Sequence, residues 1–114
     1  MVSPSDTPSL SSLALPRPLT HQIVLAQLNA QLDTLHTFKV RSLSLFGSVA
    51  RNEATPNSDL DFLVEFEGSP TLRGYMGLKF FLEELFGCSV DLVSKRKLHP
   101  QIRKTVLEEA VRVA

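Results

Sequence analysis

The chain has 114 residues, 43% of them hydrophobic and 21% charged, and its twelve Lys and Arg balance twelve Asp and Glu for a formal net charge of +0. That length suits one domain, and the apolar share excludes a fully disordered chain. The neutral balance disfavours a broad electrostatic grip on nucleic acid, which needs clustered Lys and Arg, but leaves room for a local phosphate site.

Residues 1–19 contain four of the seven prolines, Pro4, Pro8, Pro16 and Pro18. Proline fixes φ and lacks a backbone donor, so this stretch reads as a flexible tail. Its Leu10, Leu13, Leu15 and Leu19 can touch the domain formed by residues 20–114. The spacing predicts a helix over 20–36, with Thr20 as N-cap and Leu25, Leu28, Leu32 and Leu35 on one face. Residues 39–46 alternate well enough for a strand, although Val40, Leu43 and Leu45 are not all in phase. Gly47 and Ser48 end it, and a short helix over Val49 to Glu53 leads to a turn at Pro56 and Asn57.

Residues 58–66 read as the clearest strand. Leu60, Phe62 and Val64 point one way, and Asp59, Asp61, Leu63 and Glu65 point the other. Residues 72–86 return to helical spacing: Tyr75, Leu78, Leu82 and Leu85 share a face, and Gly87 suits the C-terminal cap. Residues 88–93 form a third strand. Lys95, Arg96 and Lys97 make a basic loop that meets either solvent or an acidic partner. Pro100 opens a last helix carrying Ile102, Val106, Ala110 and Val113. The order predicts an α/β (α+β) fold, a small mixed β-sheet flanked by helices.

Cys88 is the single cysteine, which excludes an intramolecular disulfide and fits a reducing compartment with the thiol as core filler. No apolar run approaches the roughly 20 residues of a membrane span, and no signal peptide is visible. A cytoplasmic protein without membrane contact is expected. His21, His36 and His99 do not cluster and suit surface or capping roles.

Asp59 and Asp61 carry the strongest chemical signal. Two strand residues two apart face the same side, where like charges repel, and Asp is a poor strand former. Hard oxygen ligands of this kind converge on Mg²⁺. Asp91 repeats the pattern inside Val-Asp-Leu-Val. If its strand lies beside residues 58–66, a third carboxylate joins the same face, enough to hold two metals. A solvated sheet face is the alternative reading of an isolated Asp-x-Asp. Gly47 and Ser48 offer a close backbone approach, free N–H groups and a hydroxyl to a phosphate; alone they also fit an ordinary turn.

Gly47-Ser48, ten residues, then Asp59-Leu60-Asp61 resembles the pattern of nucleotidyltransferases built on the DNA polymerase β core. The wider stretch from Leu45 to Phe66 is similar to the minimal nucleotidyltransferase (MNT) subgroup. Val90-Asp91-Leu92-Val93 resembles its third carboxylate strand, and Glu108 to Val111 its C-terminal helix. The likeness covers roughly residues 22–114. One departure is Asn52, where many members have Gly; Asn tolerates left-handed backbone. The resemblance implies nucleotidyl transfer from ATP with two Mg²⁺ ions. It implies that Gly47 and Ser48 hold the β,γ-phosphates, that Asp59, Asp61 and Asp91 bind metal, and that Arg51 either helps with phosphate or pairs with Glu53. It also implies a HEPN-domain ribonuclease toxin as partner, with AMP moved onto its tyrosine. Two alternatives stand beside this: neutralisation of a partner by contact alone, and transfer to a small molecule.

Overall fold

The computed structural model describes residues 15, 17–55 and 57–114. The tail reading of residues 1–14 and 16, and the turn reading of Pro56, lie outside these. Within them, Leu19 is buried in the core and Leu15 packs against it.

The residues expected as one helix form two, α1 (His21–Asn29) and α2 (Leu32–Thr37). Thr20 caps α1 by accepting a hydrogen bond from the Ile23 N–H. The chain breaks at Ala30 and Gln31. The break rotates the second half, so the buried positions are Val24, Leu28 and Leu35. Leu25 and Leu32, expected on the buried face, are 45% and 38% exposed.

β1 (Val40–Phe46) follows and runs antiparallel to β2 (Leu60–Phe66). Val40 pairs with Phe66 but Ser42 pairs with Glu65, so Arg41 is an extra residue, a β-bulge. The bulge explains the broken alternation: Val40 and Leu43 lie three apart yet both are buried. α3 (Gly47–Ala50) starts two residues earlier than expected and closes the end of β1.

From β2, the chain crosses through α4 (Leu72–Phe86) to β3 (Val90–Ser94), which lies parallel to β2. Thr71 caps α4 by accepting from the Gly74 N–H, and Gly87 ends it in the left-handed region at φ 67°. Leu78, Leu82 and Phe86 of α4 are buried against Leu60, Phe62 and Val64 of β2, with the Phe62 and Phe86 rings 6.0 Å apart. Each such side chain contributes about 1.5–3 kcal/mol when removed from water.

Lys95–Lys97 form one turn of 3₁₀ helix, and α5 (Pro100–Glu109) begins on Pro100. The expected last helix does not reach Val113. Val111–Arg112 form β4 on the free edge of β1, giving the order β3-β2-β1-β4. The Val113 N–H donates to the Leu43 carbonyl at 2.9 Å, and the Leu43 N–H donates to the Ala114 carbonyl at 3.1 Å. An edge strand with unpaired groups favours such a partner, and β-branched valines suit it. No residue of α5 is fully buried, so its apolar Ile102 stands in solvent. The architecture is a four-stranded mixed sheet with helices, as the element pattern implies.

Candidate active site

The site lies where β1 ends and β2 and β3 begin. Gly47 adopts φ 75°, a backbone region that disfavours residues with a Cβ. A Cβ on Gly47 would lie 2.2 Å from Asp61 Oδ2. The Asp61 carboxylate therefore rests directly on the glycine backbone, and only glycine leaves it room. Ser48 is half-buried, and its hydroxyl has no hydrogen-bond partner among the described residues.

Asp61 and Asp91 are register partners in neighbouring parallel strands, so their side chains leave the same face about 4.8 Å apart at the backbone. Asp59 stands just before β2, exposed. None of the three carboxylates has a hydrogen bond or ion pair among the described residues. Burial raises the Asp61 carboxyl above its usual range; the charges of Asp91 and then Asp59 raise it further, opposed by Arg51. Carboxylates gathered in this way, only partly offset by Arg51, are of the chemical type that a hard divalent cation takes as ligands. No three His, Cys, Asp or Glu side chains among the described residues already converge on a common point. The residues fit Mg²⁺ in oxygen chemistry, and Asp61 and Asp91 do so in their shared sheet face.

Arg51 pairs with Glu53 at 3.3 Å and with Glu109 of α5 at 3.3 Å. Both are half-open surface pairs, which typically contribute 1 kcal/mol or less, roughly. Asn52 takes φ 56°, the left-handed backbone that its side chain tolerates. Its Oδ1 accepts from the His21 N–H at 3.1 Å, tying the loop after Gly47 and Ser48 to α1. The His21 ring nitrogen Nδ1 also lies 3.3 Å from the Ala50 carbonyl.

Two anchors behind the site were not visible in the sequence. Glu83 of α4 accepts from the Val90 N–H at 3.1 Å and from Lys79 at 3.1 Å. The Val90 bond, and then Lys79, hold its carboxyl below the usual range and fix the start of the Asp91 strand. The Tyr75 hydroxyl donates to the Leu92 carbonyl. Burial, then the charge of Asp91, pushes that phenol above its ordinary value. The Lys79–Glu83 spacing of four on a helix was the one available signal. Burial likewise raises the Cys88 thiol, which leaves it a poor nucleophile.

The nucleotidyltransferase domain family matches residues 25–113 of the chain. The chain belongs to that family. This nucleotidyltransferase is 49% identical over 76 residues to protein adenylyltransferase MntA of Thermococcus cleftensis, across 67% of this chain and 77% of that protein. A solved minimal nucleotidyltransferase overlays with a TM-score of 0.71 at 41% identity, covering 84% of this chain and 98% of the other. One chain of the complex between a tri-AMPylated Shewanella oneidensis HEPN toxin and MNT antitoxin overlays with a TM-score of 0.58 at 20% identity, over 78% of this chain and 70% of that one. At that identity the likeness concerns the fold. No described helix of the nucleotidyltransferase is long and apolar enough to cross a membrane.

Proposed function

We propose that this nucleotidyltransferase moves AMP from ATP onto a tyrosine hydroxyl of a HEPN-type toxin and so acts as its antitoxin in the cytoplasm. The observation that carries the reading is the pairing of Asp61 with Asp91 on one sheet face, with the Asp61 carboxylate seated on Gly47. The identity to a protein adenylyltransferase supports the acceptor class.

In this reading, Gly47 and Ser48 receive the β- and γ-phosphates through backbone N–H groups and the free Ser48 hydroxyl. Asp59 and Asp61 would hold both Mg²⁺ ions, and Asp91 the one nearer the acceptor. Bound there, Mg²⁺ supplies charge stabilisation for the phosphates and lowers the acidity barrier of the acceptor hydroxyl. The tyrosine oxygen forms a bond to the α-phosphorus as the bond to the bridging oxygen breaks, and pyrophosphate leaves. The hydroxyl proton passes to the Asp91 carboxylate and on to solvent. Arg51, beside the loop, adds positive charge while Glu53 and Glu109 orient it. Positioning and electrostatics carry most of such a reaction.

The test is incubation of the chain with α-phosphorus-labelled ATP, Mg²⁺ and a HEPN-type toxin chain from the same organism. Label on a toxin tyrosine, with loss of toxin ribonuclease activity, is expected. Full neutralisation without label would instead establish action by contact alone.

A further inference from the structure

A concavity of about 940 Å³ opens along the parallel strands toward the end away from the carboxylates. Lys95, Arg96, Lys97 and Arg103 line it, and Glu65 is its one acidic residue. None of Lys95, Arg96 and Lys97 has an ion-pair partner among the described residues, while Arg103 donates to the Lys95 carbonyl at 3.2 Å. Pro70, Leu72 and Tyr75 also line it. Leu72 is 78% exposed. A cluster of unpaired cations in the same groove as an uncovered leucine and a proline matches a partner segment carrying both carboxylates and an apolar side chain.

The placement adds to the chemistry. Glu65 continues the β2 face of Asp61 and Leu63, and Lys95 follows β3 four residues beyond Asp91. The groove thus starts at Leu92, next to Asp91, and its Lys95 lies roughly 13 Å along the strands from Asp91, at about 3.3 Å per residue. A protein held there can set a side chain over the carboxylates. Four cations beside Glu65 on a chain of zero net charge are too few for a long nucleic-acid track.

We infer that this groove is the docking site for an acidic, apolar-containing segment of the acceptor protein, held by Lys95, Arg96, Lys97 and Leu72 apart from the nucleotide site. The assignment of the occupant rests on the proposed protein acceptor; the peptide preference of the groove does not. Two measurements separate them. A fluorescein-labelled peptide of alternating Glu and Leu, its Lys and Leu counterpart and a twelve-nucleotide poly(U) RNA are titrated against the full chain by anisotropy. The acidic peptide is expected to bind best and to weaken about tenfold or more in Lys95→Glu/Lys97→Glu and in Leu72→Ser. The same variants are expected to raise the KM for the HEPN chain while leaving the KM for ATP unchanged. Tighter binding of RNA, absence of peptide binding, or peptide binding indifferent to both variants overturns the groove assignment. Peptide binding with no label reaching the HEPN chain supports the groove and overturns the acceptor reading alone.

Discussion

Gly47 and Asp61 constrain each other, and that contact gives the most direct residue-scale expectation. Gly47→Ala places a methyl on the Asp61 carboxylate and demands a left-handed alanine. The backbone strain alone costs about 1–3 kcal/mol. Nucleotidyl transfer is expected to fall about a hundredfold, because a displacement of that size at a reacting centre is enough. Thermal unfolding and label transfer check the two effects separately. The titrating residues give opposite signs. The raised Asp61 carboxyl binds its proton more tightly folded than unfolded, so its contribution is present at acid pH and is lost as pH rises through the raised value. Glu83, lowered, contributes above its ordinary value and loses that contribution as pH falls through the lowered one. In chelator, Asp61→Asn is therefore expected to raise the unfolding midpoint at neutral pH and Glu83→Gln to lower it, with both differences vanishing in acid. Denaturant titrations across pH read this directly.

At the scale of elements, legibility followed how local each cause was. Thr20, Gly87 and Pro100 announce helix ends because capping involves a few neighbouring atoms. The same holds for Gly47-Ser48 and Asp59-Leu60-Asp61, which are contiguous motifs. The break at Ala30 was not legible, since four leucines at helical spacing fit one continuous helix and only packing shows that Leu25 and Leu32 face outward. β4 was hidden for a related reason: it exists because β1 has a free edge at Leu43, a fact about another strand. The bulge at Arg41 left a trace, the broken alternation of β1, whose meaning needed the partner register. Thr71→Ala is expected to remove the cap of α4 and cost about 1 kcal/mol, measured by urea unfolding.

For the whole molecule, the site depends on the crossover. Asp91 is thirty residues from Asp61, and only the parallel β2–α4–β3 unit makes them register partners. The sequence supported that juxtaposition conditionally; the topology supplied it. The C-terminal strand matters for the same sheet. Val113 is buried and bonded to Leu43, so Val113→Ala is expected to cost about 2 kcal/mol without changing the KM for ATP.

The central claim, AMP transfer to a toxin tyrosine directed by three carboxylates, is tested most directly by peptide mass spectrometry of the HEPN chain after incubation with ATP. With the wild-type nucleotidyltransferase and Mg²⁺, AMP is expected on a tyrosine. With chelator, or with Asp59→Asn/Asp61→Asn, none is expected. An unmodified HEPN chain in the presence of folded wild-type protein, Mg²⁺ and ATP, or equal modification by the double variant, would contradict it.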